Sequence, residues 1–250
     1  MAVDYDKAYK LLAQQERISN SKAKELIDKG LVFVGGKKLL IARGEIKVDT
    51  KFKVKELAKT KIIFEDENIL AVDKPAFLTA DEVAKKFDKA ILLNRLDKET
   101  SGVMLFAKNE EFQQRAIKEF AQNRVYKEYV AIVEGKVIEE LIIDKPILTI
   151  KNKGVAKSKI DKYGKSAKST IYPLFVEGNK SKIKVVIENG RTHQIRVHLS
   201  SVGLPIIGDA LYGKDASNVN RVLLHSKVTK IFDYNFEAKE PKEFKVYDFS

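Results

Sequence analysis

Cysteine is absent from all 250 residues, which excludes disulfides and thiolate metal sites and fits a reducing compartment. No apolar run approaches the roughly 18 residues that a membrane-spanning helix needs. The first residues, Met1 to Asp6, contain no apolar signal region. Neither a phosphate-cradling glycine loop nor a dinucleotide fingerprint is present. Histidine is scarce: of three, His193 and His198 fall five apart on a presumed helix, too far round to share a metal-binding face. These absences predict a soluble, cytoplasmic protein that works without metal or cofactor.

What is present is charge, unevenly placed. The chain carries a net +12; its 250 residues suggest one large domain, or one with a smaller companion, and its 44% hydrophobic residues can bury a substantial core. Residues 1–60 hold 14 Lys and Arg against 8 Asp and Glu. Residues 151–170 hold seven lysines against Asp161 alone, and the remaining 170 residues sum to zero. Two separate basic patches on a neutral body suit a long polyanion better than a small acidic substrate. Solvated lysine-rich faces are the bland alternative.

Periodicity organises the chain further. Residues 6–30 read as two short helices. In the second, Ala23, Leu26 and Ile27 share a face, Ser19 or Asn20 can cap the start, and Gly30 can end it. Leu31 to Val34, Gly35-Gly36 and Lys37 to Ile41 read as a hairpin, decorated with this unit's Lys22, Lys24, Lys37, Lys38 and Arg43. A lysine-rich connector, Lys51 to Lys61, follows. A second hairpin, Ile62 to Phe64 and Ile69 to Val72, opens the larger region. Val103 to Ala107 and Tyr129 to Val133 are apolar runs of strand length. Asn109 starts a helix with inner stripe Phe112, Ala116 and Phe120, and Ile195, Leu199 and Val202 mark another over 193–202, with Thr192 as N-cap and Gly203 as terminator. Strands and helices alternate irregularly, which predicts an α+β fold and not a doubly wound sheet.

Two segments carry the chemistry: Asn94-Arg95-Leu96-Asp97-Lys98-Glu99-Thr100-Ser101-Gly102, where Thr100 to Gly102 read as a turn, and Gly190-Arg191-Thr192-His193-Gln194-Ile195-Arg196. An aspartate meant to work while ionised needs a cationic partner, and Arg196 lies beside the buried stripe of its helix, able to reach inward. These segments, continued by Gly203 to Gly213, resemble the signatures of the RluA-type RNA pseudouridine synthases over about residues 60–250. The resemblance implies a mixed, largely antiparallel sheet of the pseudouridine synthase type. It implies that Asp97 is the essential catalytic group, held by Arg196, with Tyr129 as the active-site tyrosine and Ile195 packed against the target base. Tyr126, three residues earlier, is the decoy. Arg95 would fill the space that a flipped base vacates, and Asn94 departs from the family's usual histidine at an RNA contact. Gly203 to Gly213 reads as architecture, and residues 151–164 as a mobile basic loop that touches phosphates.

The N-terminal wording, Ile18 to Ala23 and Leu26 to Val32, resembles the S-four-type RNA-binding domain, a helix-helix-hairpin module. The domains expected are therefore 1–55, which would contact RNA through Lys22, Lys24, Lys37 and Arg43, and 60–250, which would be catalytic. The implied partner is structured RNA, ribosomal before transfer RNA, with no DNA and no membrane, bound by a monomer. Two rivals differ in class. A binding protein that lost catalysis predicts decay of Asp97, Tyr129 and Arg196, and none is seen. A hydrolase pairing Asp97 with Glu99 lacks a defined carboxylate separation.

Overall fold

Val103 to Ala107 form most of a strand, Ser101–Ala107, in which all seven residues are buried, as a strand covered on both faces must be. In the computed structural model, which describes residues 4–152, 155–213 and 219–245, this strand belongs to a sheet of ten. The sheet runs through Leu141–Asp144, Lys168–Glu177, Lys180–Ile187, Tyr126–Glu134, Leu224–Ile231, Ser101–Ala107, Ile69–Lys74 and Lys61–Glu65. Ile91–Leu92 and Tyr234–Glu237 join beside this path. Among the described residues every pairing of this sheet is antiparallel except one near the middle, where His225 and Ser226 run parallel to Ser101 and Gly102. The fold is thus α+β with a mixed, largely antiparallel sheet, as expected.

Gly102 makes that junction possible. Its φ is 115°, and a Cβ there would lie 2.0 Å from the Ser226 carbonyl oxygen, so no side chain fits. One core cluster gathers Val130, Ile132, Ile183 and Val185 of the sheet with Ile195 and Leu199 of the helix Gln194–Ser201. Another packs Ile69, Val103 and Leu105 against Phe112 and Ala116 of the helix Glu110–Ala121. That helix starts as expected: the Asn109 side chain accepts the Phe112 N–H at 2.8 Å, and Glu110 and Glu111 sit at the positive end of its dipole. Burial of Phe112 alone stabilises by about 2–3 kcal/mol.

The chain divides into two units, Met1–Ala58 and Lys59–Ser250. The smaller has helices Ala8–Glu16 and Asn20–Asp28, the second capped by Ser19, whose hydroxyl accepts the Lys22 N–H. Gly35 and Gly36, with φ of 56° and 83°, turn the chain between Val32–Val34 and Lys37–Lys38, the left-handed pair that a tight hairpin requires. Leu40 and Ile41 do not extend that hairpin and stand exposed. The connector begins later than the sequence suggested. Phe52–Val54 is a third strand paired with Val32–Val34, because Phe52 alternates inward while Lys53 faces water.

Three further expectations need correction. Residues 151–164 are not one loop: Ile147–Asn152 and Val155–Ile160 form a hairpin, with Ser158 inward and Lys157 and Lys159 outward, while Lys153 and Gly154 lie outside the described residues. Ser101 and Gly102 belong to the strand and not to a turn. The helix that bears Arg196 is not capped by Thr192. His193, left-handed at φ 55°, precedes Gln194, and the Gln194 side chain reaches back to accept the Arg191 N–H at 3.0 Å. Gly203 does end that helix, left-handed at φ 78°. Among the described residues no helix is long and apolar enough to cross a membrane.

Candidate active site

The loop that bears Asp97 is pinned from both sides. Leu96 before it is buried, and the Thr100 N–H donates to the Asp97 carbonyl at 3.1 Å. Beyond it, Arg221 donates to the Glu99 carbonyl at 3.0 Å and the Glu99 carboxylate accepts the Val222 N–H at 3.0 Å. Glu99 is therefore occupied in holding the loop. Lys74, wholly buried, donates to the carbonyls of Leu78 at 2.7 Å, Pro75 at 3.0 Å and Lys98 at 3.3 Å. Burial pushes its amine down to about 7, with the Asp97 charge opposing. A buried amine on three carbonyls fixes the backbone on which Asp97 stands.

The Asp97 carboxylate accepts from Arg196 Nη1 at 3.0 Å, and 28% of its side chain is exposed. Arg196 has a second and closer carboxylate. Asp209, wholly buried, takes its Nε at 2.7 Å and its Nη2 at 2.8 Å in a bidentate fork. Burial by itself would depress Arg196, but the bonds and charge of Asp209 and the charge of Asp97 leave it raised above the ordinary arginine value. Asp209 also accepts the N–H groups of Leu211 and Tyr212. Gly208 before it has φ 83°, and a Cβ there would lie 1.9 Å from the Arg221 carbonyl oxygen. The stretch read only as architecture thus supplies the principal partner of Arg196.

Tyr212 adds a second layer. Its ring lies 5.1 Å from the Arg196 guanidinium carbon, and its hydroxyl is 2.8 Å from His193 Nδ1. The other imidazole nitrogen, Nε2, faces Asp97 Oδ2 at 3.8 Å. Burial lowers the His193 pKa; Asp97 opposes that and Arg196 adds to it. Tyr129 sits in the core beside these groups. Burial pushes its hydroxyl up to about 12, a hydrogen bond with Ser226 works against this, and the Asp97 charge adds to it.

Asp97, Tyr129, Ile195 and Arg196 line one cavity of about 80 Å³, together with Arg95 and His193. A wider cleft of about 480 Å³ adjoins it, sharing Arg95, Tyr129 and Arg191 and adding Phe120, Asn123 and Lys127. Arg95 makes a bidentate pair with Asp81 at 2.9 and 3.0 Å on the exposed surface. Asn94 accepts the Leu105 N–H at 2.7 Å, so its carboxamide braces the neighbouring strand. Tyr126 donates to Glu128 at 2.6 Å. In the smaller unit Lys22 pairs with Glu25, Lys24 lies over the Tyr9 ring, and Lys37 and Arg43 are exposed. Among the described residues no group of His, Asp and Glu could hold a metal ion.

Sequence reasoning brought Asp97, Tyr129, Ile195 and Arg196 together but missed Asp209, Tyr212, His193 and Lys74. The one available signal was an acid within the apolar stretch Leu204 to Leu211, where a carboxylate needs a reason to be buried.

A family model described as RNA pseudouridylate synthase matches residues 68–201. The chain is 50% identical over 242 residues to a Helicobacter pylori protein named an uncharacterized RNA pseudouridine synthase, covering 96% of this chain and 100% of that one. It is 28% identical over 255 residues to the ribosomal large subunit pseudouridine synthase D of Zymomonas mobilis, covering 84% of this chain and 77% of the relative. Among solved structures, human RNA pseudouridylate synthase domain containing 1 aligns with a TM-score of 0.63 at 26% identity, over 74% of this chain and 84% of that one.

Proposed function

Since the chain belongs to the RNA pseudouridine synthase family and is an isomerase of that kind, we propose that it converts uridine to pseudouridine in structured ribosomal RNA through Asp97. The observation that carries this reading is the chain Asp97–Arg196–Asp209. A solvent-reached carboxylate is oriented by an arginine that a buried carboxylate locks in place. Support for ribosomal RNA comes from relatives named ribosomal large subunit pseudouridine synthase D. Transfer RNA is the second class to test.

The reaction breaks the bond from uracil N1 to the ribose anomeric carbon, turns the base, and joins C5 to that carbon. The C5 proton leaves and N1 gains one, so no oxidant or energy donor enters. Three roles are open to the Asp97 carboxylate: attack on the anomeric carbon, stabilisation of positive charge there, or removal of a ribose proton. Tyr129, held as a neutral phenol by a pKa of about 12, stacks on the extruded base and takes part in the C5 proton transfer. Ile195 forms the apolar wall.

The target base must leave its stack first, at a cost of about a few kcal/mol. Arg95 enters the vacated space. Its pair with Asp81 lies on the exposed surface, where solvent screens it, so release from it is easy. The adjoining cleft, with Arg191 and Lys127 on its walls, takes flanking nucleotides. Outward lysines of the 147–160 hairpin grip phosphates, and the N-terminal unit, as an S-four-type module over 1–55, adds a second basic contact through Lys22, Lys24, Lys37 and Arg43. The Asn94 carboxamide serves the fold in place of a base contact. The enzyme acts as a monomer in the cytoplasm.

The test is tritium release from RNA labelled at uridine C5, with wild type and Asp97→Asn on ribosomal and transfer RNA separately. Release by wild type alone, on ribosomal RNA, is the expected result. Tight binding without release from any RNA would overturn the catalytic reading and leave an RNA-binding assembly factor.

A further inference from the structure

We propose that Ser158, Tyr212 and His193 form a relay by which the docked basic hairpin sets the position of Asp97, with His193 as a positioning residue and Tyr212 as the group that selects its tautomer. The proposal rests on Asp97 being the catalytic carboxylate.

The argument is one of hydrogen-bond inventory. The Tyr212 oxygen accepts the Ser158 backbone N–H at 2.8 Å, and a backbone amide can only donate. The single hydroxyl proton of Tyr212 must then go elsewhere. Among the described residues the acceptor in reach is His193 Nδ1, at 2.8 Å. Nδ1 therefore accepts, and a neutral imidazole must carry its proton on Nε2. That nitrogen faces Asp97 Oδ2 at 3.8 Å, a gap that on this proposal closes when RNA engages the hairpin. Burial disfavours a charge on His193, and its neutral form presents an N–H dipole to the carboxylate without adding a full charge.

The start of the relay is the hairpin. Ser158 lies on Val155–Ile160, flanked by the outward Lys157 and Lys159. Its hydroxyl donates to the Thr192 carbonyl at 2.8 Å, next to His193. The same residue thus fixes both the hydroxyl that orients the imidazole and the backbone that carries it. RNA pulling on those lysines acts on a strand whose inward Ser158 is two hydrogen bonds from His193, and His193 stands 3.8 Å from Asp97. His193 is held at φ 55°, a left-handed conformation that a non-glycine residue adopts only where its surroundings demand it.

The chain's three histidines make the tautomer directly observable by nitrogen-15 NMR of the imidazoles. Wild-type His193 is expected as the Nε2–H form, and Tyr212→Phe, which keeps the ring on Arg196, is expected to lose that preference. In single-turnover tritium release, Tyr212→Phe and His193→Ala should each be slower by about tenfold, the effect of one hydrogen bond. RNA affinity should stay unchanged. His193→Gln, which keeps an N–H near the Nε2 position, should recover most of the rate. An Nδ1–H tautomer in the wild type, or equal rates for His193→Gln and His193→Ala, would overturn the proposal. If wild type releases no tritium from any RNA, the functional reading fails, while the tautomer still decides the relay's geometry.

Discussion

Asp209→Asn changes one oxygen to an amide and tests the site most sharply. Asp209 is wholly buried and makes two charge-assisted bonds to Arg196 while accepting two backbone N–H groups. An asparagine carboxamide must turn its NH₂ either toward Arg196 Nε or toward Arg196 Nη2 and both amides, so a donor meets a donor in either orientation. Removing one partner of a buried ion pair costs about 3–5 kcal/mol. Arg196 keeps Asp97 as a second partner, which places the loss near the lower end, about 3 kcal/mol. For a domain of this size that lowers Tm by about 6–12 °C. Urea and thermal unfolding followed by circular dichroism would read it, and tritium release would fall as well, because the arginine that orients Asp97 has lost its anchor. Asp97→Asn provides the contrast. The bond it weakens is partly exposed and worth about 1 kcal/mol or less, so stability should hardly move while release is abolished. An Asp209→Asn protein within about 0.5 kcal/mol of wild type, below what any buried pair should cost, would refute the claim that Asp209 anchors the site.

Tyr129→Phe should bind RNA as wild type does while forming product much more slowly, measured by filter binding beside tritium release; unimpaired turnover would leave Tyr129 a packing residue only. His225 is buried, its Nδ1 2.9 Å from the Ser101 hydroxyl and its Nε2 3.2 Å from the Ala238 carbonyl, and burial pushes it down to about 4 from 6.5. Between those values the unfolded chain binds a proton that the folded one refuses, so stability is full above pH 6.5 and falls as pH drops toward 4, by about 3 kcal/mol. Urea unfolding at a series of pH values would show the slope, and the same slope in His225→Asn would assign it to other groups.

How much of this was legible in residue order differs from element to element. Val103 to Ala107 announced a doubly covered strand because five apolar residues in succession leave no face for water. Asn109, Ser19 and Gly35-Gly36 announced their caps and turn because those side chains and φ angles act within a few residues of themselves. The hairpin of 147–160 was hidden because lysines on its outward face make a strand look like a loop. Phe52–Val54 was hidden for the same reason.

At the site, the motifs around Asp97 and Arg196 were readable, and the expected pair forms at 3.0 Å. Sequence by itself determined that a carboxylate and an arginine of this kind were present, which local segments held them, and that the chain was built to meet a polyanion. Only the tertiary structure decided which carboxylate grips the arginine hardest, that Lys74 braces the loop beneath Asp97, and that Tyr212 turns His193 toward it. Those contacts join residues 13 to 99 positions apart, and their strength depends on burial. Burial is a property of the packed sheet, and no residue carries it in its own sequence neighbourhood.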